Sequence, residues 1–362
     1  MKHKIVHYSK YISYSGTDRT AQLFCKYLLN NTDYDPYILY RKGTYDDRLD
    51  AMKSILGPDR VIGHDWIPGK RGKVAPYYPE TDNIADVLAE IKPDIVHCHS
   101  SGTEEWPFFK WVYPKAKWVS TNIFGYSNIQ SHVDHTIYIC DYIKNLCMTA
   151  YRGTDGDVLY NPVELPKIDR ATARNFFIEH YNLSPDTVLI GRVGRADNFD
   201  PISLKAISQI INLKFIYFVV NPCAGWTDTI KQLGISDKVV CLPTIIDDHE
   251  LSRFYSAMDI YAHARSDGEV CPVNIQEAMI HGLPIVSHYS PIHNGQVEII
   301  RNCGFVVPNG NYMAYADVLK ELILKQSLRE EMGGRARMRA DEVFEASKIA
   351  TKLVNIYNRI LS

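Results

Sequence analysis

Two glutamates, Glu269 and Glu277, stand eight positions apart in the run Gly268-Glu269-Val270-Cys271-Pro272-Val273-Asn274-Ile275-Gln276-Glu277-Ala278-Met279-Ile280-His281-Gly282-Leu283-Pro284. The pattern places Glu269 in a loop after a strand and Glu277 in the helix that follows. Gly282 and Pro284 then end that helix, since glycine accepts a left-handed C-terminal turn and proline cannot continue the ladder. A helix N-terminus flanked by two acids, at the carboxyl edge of a sheet, is a place where a charged sugar nucleotide can bind. On spacing alone the ordinary reading is a helix whose first turn favours acids through the macrodipole.

The elements that must position these residues form a long alternation. Strand patterns fall at residues 4–9, 36–41, 60–64, 94–100, 117–123, 136–140 and 158–160, with helical patterns at 17–29, 82–91 and 141–150. Such alternation predicts parallel sheets covered by helices on both faces. Asn161-Pro162-Val163-Glu164-Leu165-Pro166 interrupts it as a linker. Strand patterns resume at 188–193, 215–220, 239–242, 260–264, 285–288 and 305–307. Asp247 and Glu250 read as a capping box ahead of Leu251, Phe254, Tyr255 and Met258. The last segment, 344–361, is amphipathic through Ile349, Leu353, Ile356, Tyr357 and Ile360. The expected architecture is α/β, with two Rossmann-like doubly wound domains facing across a cleft. The first covers 1–163 and recovers the terminal helix at about 344–362; the second covers 164–343.

Composition bounds the function. A chain of 362 residues is long for one core and comfortable for two. A formal charge of −2 gives no reason to expect a nucleic-acid partner. No apolar run approaches the roughly 20 residues that cross a bilayer, and the N-terminus enters a strand pattern with no signal-peptide features. The eight cysteines lack Cys-x-x-Cys spacing, and Cys98, Cys140 and Cys241 sit in strand-like runs. They read as reduced, buried and cytoplasmic.

The Glu269–Glu277 segment resembles the Glu-x7-Glu motif of GT-B glycosyltransferases, family 4 in particular. The resemblance continues through His281-Gly282-Leu283-Pro284-Ile285-Val286-Ser287, Asn294-Gly295-Gln296-Val297-Glu298-Ile299-Ile300 and Gly304-Phe305-Val306-Val307. It implies a retaining, metal-independent transfer of a sugar from a UDP- or GDP-linked donor to a hydroxyl acceptor on a glycan, a lipid-linked molecule or a small metabolite. It requires no separate cofactor. Positioning and charge stabilisation of an oxocarbenium-like state would carry the chemistry, with the departing diphosphate oxygen assisting deprotonation and no general-base side chain.

Residue by residue, the resemblance implies that Glu277 accepts hydrogen bonds from the donor ribose and that Glu269 contacts the transferred sugar. Val270, Cys271, Val273 and Asn274 would face the phosphates; Pro272 has no N–H to offer. Gly194-Arg195 matches the Gly-Arg that holds the diphosphate. Position 200 is Asp200 where the family carries Lys, which leaves Arg192 as the local substitute cation. Ser15-Gly16-Thr17 stands for a Gly-Gly loop, with Gly16 close to the donor. Thr244 and Ile245 would cradle the base. Asn122 occupies the stretch where relatives carry a histidine, and would bond a hydroxyl. His97-Cys98-His99 resembles the family's His-x-His. Two histidines at i, i+2 share a strand face, so zinc is conceivable, but no third ligand is apparent and a structural role is favoured. Lys70, Arg71 and Lys73 form a small basic loop that suits contact with anionic lipid or an acidic acceptor, though a solvated loop is the favoured reading.

Two rivals follow. A silent member would bind donor without turnover, as Asp200 and the absent histidine suggest. A glycoside hydrolase would need Glu269 and Glu277 to flank one glycosidic bond. A nicotinamide dehydrogenase is disfavoured, because no Gly-x-Gly-x-x-Gly follows a strand.

Overall fold

A computed structural model describes residues 2–43, 45–67, 81–194 and 199–362. The chain divides into two compact units, Met1–Pro162 with Glu345–Ser362, and Val163–Phe344.

In the first unit the strands are β1 (Lys4–Ser9), β2 (Asp35–Arg41), β3 (Val61–His64), β4 (Trp66–Ile67), β5 (Thr81–Asp82), β6 (Ile95–Ser100), β7 (Lys117–Asn122), β8 (His135–Tyr138) and β9 (Asp157–Val158). Its helices are α1 (Gly16–Asn31), α2 (Leu49–Leu56), α3 (Ile84–Ile91) and α4 (Asp141–Ala150). The second unit carries α5 (Arg170–His180), β10 (Val188–Val193), α6 (Ile202–Ser208), β11 (Phe215–Val220), α7 (Trp226–Gln232), β12 (Val239–Leu242), α8 (Asp248–Ala257), β13 (Ile260–Ala262), β14 (Gly268–Glu269), α9 (Val273–Ile280), β15 (Ile285–His288), β16 (His293–Asn294), α10 (Gly295–Ile300), β17 (Gly304–Val307), α11 (Tyr312–Leu324) and α12 (Gln326–Val343). The final helix, α13 (Ala346–Leu361), returns to the first unit.

Each unit is organised on one parallel sheet. The orders are β3-β2-β1-β6-β7-β8-β9 and β12-β11-β10-β13-β15-β17. Strands covered on both faces read as apolar runs, and Ile5, Val6, Ile95, Val96, Leu189, Ile190, Val219 and Val286 are accordingly buried. Strand order reverses at β1/β6 and at β10/β13, and ligands of such sheets bind beyond the carboxyl ends at that reversal. Two short ladders lie outside the strand expectations, antiparallel β4–β5 and parallel β14–β16.

Boundaries shift for local reasons. The strand expected at 136–140 stops at Tyr138, because Cys140 becomes the N-cap residue of α4. The one expected at 260–264 stops pairing at Ala262. Asp247 caps α8 by accepting from the His249 and Glu250 N–H groups, but Glu250 bonds Arg253 and so does not close the box. Cys98 and Cys140 are buried; Cys241 is exposed because it lies on the edge strand β12, contrary to the buried reading.

Helix α13 fits its amphipathic pattern. Ile349, Leu353, Ile356 and Tyr357 pack with Ile5, Phe24, Leu28, Ile95 and Ile137 in one buried cluster. Leu353 is fully buried there. Leu353→Ala should therefore cost about 2–5 kcal/mol, as core truncations do, read as a lowered midpoint in urea unfolding followed by circular dichroism.

Candidate active site

After β13 the chain runs His263-Ala264-Arg265 into β14. Glu269 is thus fixed by a ladder, not carried on a free loop as the sequence suggested. Gly268 pairs with His293 and Glu269 with Asn294. Gly268 has φ +71°, and a Cβ there would stand 1.8 Å from the His293 carbonyl oxygen, so only glycine fits. A Cβ on Gly295 would likewise meet the Val270 carbonyl oxygen at 1.9 Å. Gln296 completes the frame. Its Oε1 accepts from the Glu269 N–H at 3.2 Å, and its Nε2 donates to the His288 carbonyl at 3.0 Å. Asn294 bonds the Ser290 N–H and carbonyl at 2.8 and 2.9 Å. The Asn294-Gly295-Gln296 motif thereby acquires a role that its sequence alone did not reveal: it holds the backbone beneath Glu269.

The Glu269 side chain is 14% exposed and faces cations. Arg265 Nη1 donates to Glu269 Oε1 at 3.3 Å, and the same guanidinium bonds Asp267 at 2.7 Å. His263 Nε2 stands 3.6 Å from Glu269 Oε1, longer than a hydrogen bond, while its Nδ1 meets Ser287 Oγ at 2.9 Å. Burial pushes His263 down to about 4, so the imidazole is neutral at neutral pH. Burial alone would raise the Glu269 carboxyl; the His263 contact and the Arg265 and Arg192 charges outweigh it and hold the group below its ordinary value. Glu269 is therefore a fixed carboxylate that accepts hydrogen bonds. A general acid needs the opposite shift, so Glu269 does not suit the acid of a hydrolase pair. His288 backs Arg265: its Nδ1 donates to the Tyr289 carbonyl at 2.8 Å, leaving Nε2 to accept the Arg265 N–H at 3.2 Å.

Glu277 lies within α9 and is buried. The Tyr255 hydroxyl donates to Glu277 Oε2 at 3.0 Å, and Tyr255 stacks on His281 with centroids 5.3 Å apart. His281 binds the Glu277 carbonyl through Nδ1 at 2.7 Å. The helix ends at Ile280 with His281 as its C-cap, and Gly282 follows with φ +70°. Val273 and Asn274 open α9, whose first intrahelical bond runs from the Gln276 N–H to the Pro272 carbonyl. Their N–H groups belong to the first turn, which lacks intrahelical partners. Asn274 also ties α9 to β10, donating to the Val193 carbonyl at 3.0 Å. Cys271 is buried, with Gln276 Nε2 on its sulfur at 3.9 Å, and the Val270 carbonyl closes over Gly295.

Arg192 is not the accessible cation it was expected to be. It is 2% exposed, donates to the Ala264 carbonyl at 3.2 and 2.6 Å, and lies 3.4 Å above the centre of the Phe199 ring. It braces the reversal between β10 and β13 and acts on Glu269 through its charge. Arg195 lies outside the described residues, as do Lys70, Arg71 and Lys73. Asp200 accepts from the Ile202 N–H at 2.8 Å, capping the start of α6. The cation missing from position 200 is accompanied by one that sequence reasoning overlooked, Arg265. Thr244 and Ile245 line a cavity of about 320 Å³ with Phe176, Phe177 and Phe254.

In the first unit, Gly16 opens α1. Ser15 replaces glycine with a cap. Its hydroxyl donates to Asp18 Oδ2 at 2.8 Å and accepts from the Asp18 N–H at 3.2 Å. Asn122 is fully buried, donating to the Tyr126 carbonyl at 2.7 Å and accepting from the Gly125 N–H at 2.8 Å. It therefore holds its own turn, correcting the expectation that it bonds a substrate hydroxyl.

Comparison with known proteins bears on the fold and on the second unit. Residues 226–339 match the family described as Glycosyl transferases group 1. A glycosyltransferase from Rickettsia africae superposes with a TM-score of 0.78 at 20% identity, covering 100% of this chain and 99% of that one. Anabaena Alr3699/HepE, solved in complex with UDP and glucose, gives 0.77 at 15% identity, with 99% and 100% covered. The chain has the GT-B fold. A curated relative, the capsular polysaccharide biosynthesis glycosyltransferase CapM of Staphylococcus aureus, is 26% identical over 195 residues. That match spans 51% of this chain and about half, 49%, of the relative. The stretch matched to Glycosyl transferases group 1 contains Glu269, Glu277 and Gln296. Among the described residues no helix is long and apolar enough to cross a membrane.

Buried histidines set a pH dependence. His263 and His281 fall from an ordinary 6.5 to about 4 on burial. The unfolded chain binds more protons between those values, so their contribution is complete above about pH 6.5 and is lost as pH falls through about 4. Urea midpoints measured at pH 7.5 and pH 5 should show the lower stability at pH 5.

Proposed function

We propose that the protein is a glycosyltransferase that moves a sugar from a nucleoside diphosphate sugar to a hydroxyl acceptor, with retention of anomeric configuration. The observation that carries this reading is Glu269, held ionised by neighbouring cations and fixed on the β14–β16 ladder, directly ahead of the helix that bears Glu277. An ionised, immobile carboxylate suits recognition of sugar hydroxyls, and a helix start suits phosphate. In this reading Glu277 takes the ribose hydroxyls, Val270 to Asn274 face the phosphates together with Arg195, and Thr244 and Ile245 hold the base. The first unit takes the acceptor, and Gly16 at the start of α1 is assigned to the donor.

UDP is the favoured nucleotide, since the Anabaena neighbour was solved with UDP and with UDP-glucose. A glycan or glycoconjugate acceptor is in keeping with the capsular relative and with the Staphylococcus aureus TarM structure containing alpha-GlcNAc-glycerol. The family-4 assignment, an absence of catalytic metal and a cytoplasmic location with peripheral membrane contact belong to the same reading.

A second reading, donor binding without turnover, is favoured by one feature. Asp200 caps α6 where a diphosphate-binding lysine was expected, and Arg192 is buried. A panel of UDP- and GDP-sugars, incubated with protein and a chelator, separates the two. Nucleoside diphosphate release from one donor supports transfer. Donor-induced stabilisation without release, even when glycan acceptors are supplied, supports the silent reading.

Glu269→Gln should lower kcat by about 10²–10³, the scale of losing a group that stabilises the reacting centre. Glu277→Gln should chiefly raise the donor KM, by about tenfold or more, because a charge-assisted hydrogen bond contributes about 1.5–3 kcal/mol. Steady-state kinetics of both variants on the identified donor check this split.

A further inference from the structure

Outside the candidate active site, β1 and β6 bring together a cluster that the sequence showed only in part. His7 and His97 are register partners on adjacent parallel strands. His99 lies two residues farther along β6, on the same face. The third histidine, not apparent in the sequence, is therefore His7. His7 and His97 are 0% exposed and His99 is 7% exposed. One ring nitrogen from each lies within 4.8 Å of the others.

We propose that His7, His97 and His99 form a site for a zinc-class divalent transition metal within the first unit. His7 Nδ1 stands 3.3 Å from His99 Nε2. That separation admits a hydrogen bond between the two rings. It matches the edge of a tetrahedral zinc site, because two nitrogens each about 2.0–2.1 Å from the ion stand ~3.3–3.4 Å apart. The remaining nitrogen of His7, Nε2, meets the Tyr357 hydroxyl at 3.2 Å, the kind of partner that fixes a metal-binding ring in one tautomer. His97 has hydroxyls on both nitrogens, Tyr357 at 2.6 Å and Thr121 at 2.7 Å, and releases one of them to complete the set. An all-imidazole set selects zinc, copper or nickel over magnesium or calcium. His99, the most accessible of the three, marks the side of entry. A bound ion would clamp β1 to β6 at the reversal of strand order, just before the loops that carry Gly16 and Gly102. This proposal is independent of the transferase reading, and its test does not use activity.

The test uses full-length protein without a histidine tag, stripped with a chelator and then titrated with Co2+. Tetrahedral cobalt bands should saturate at equimolar metal, and Zn2+ should abolish them. Zn2+ should also raise the thermal midpoint of the stripped protein by several degrees. His7→Gln and His99→Gln should each weaken binding by at least tenfold, while the exposed control His249→Gln should leave it unchanged. The wild-type titration needs no variant to fold, and circular dichroism confirms folding of those used. Failure of the wild-type protein to give saturating cobalt bands would overturn the proposal. So would bands that persist in a folded His7→Gln/His99→Gln double variant.

Discussion

The pairing of residues 268–269 with 293–294 is the constraint on which the candidate active site depends. It is only two residues long, and it is made inflexible by two glycines whose Cβ positions are occupied by carbonyl oxygens. Gln296 then takes the Glu269 N–H. On this fixed backbone the carboxylate meets Arg265, and its ionisation is settled by neighbours more than by solvent. Electrostatic stabilisation in enzymes works best when the charges need not reorganise. The short ladder provides that condition.

A second layer lies beneath it. Arg192 spans β10 and the chain beyond β13 by donating to Ala264, and Phe199 covers its guanidinium. The buried cation would be costly alone; Glu269 and a carbonyl oxygen offset it. Glu277 is organised differently, through Tyr255 and the aromatic contact with His281. Charge acts on the first carboxylate, and a tyrosine hydroxyl donates to the second.

The alternation of apolar runs made both parallel sheets legible, because strands buried on both faces leave a plain pattern. The Glu269–Glu277 segment was equally legible as a motif. What escaped was pairing between short segments distant in sequence: β14 with β16, and His7 with His97. Two-residue strands have no periodicity to detect, and a cross-strand neighbour is set by topology. Arg265 escaped because a lone arginine gives no signal until Asp267 and Glu269 close around it. Asn122 and Arg192 misled for the converse reason: residue type suggests a contact, whereas burial and an existing partner determine it. Ser15 looked like a departure from a glycine pair, but its hydroxyl replaces lost backbone freedom with a cap on α1.

The most direct test of the account is a crystal structure of the full chain with UDP bound. The account predicts the ribose hydroxyls within hydrogen-bond distance of the Glu277 carboxylate, the diphosphate at the start of α9, and Glu269 still paired to the 293–294 segment. Nucleotide bound away from α9, with no ribose hydroxyl near the Glu277 carboxylate, would contradict it.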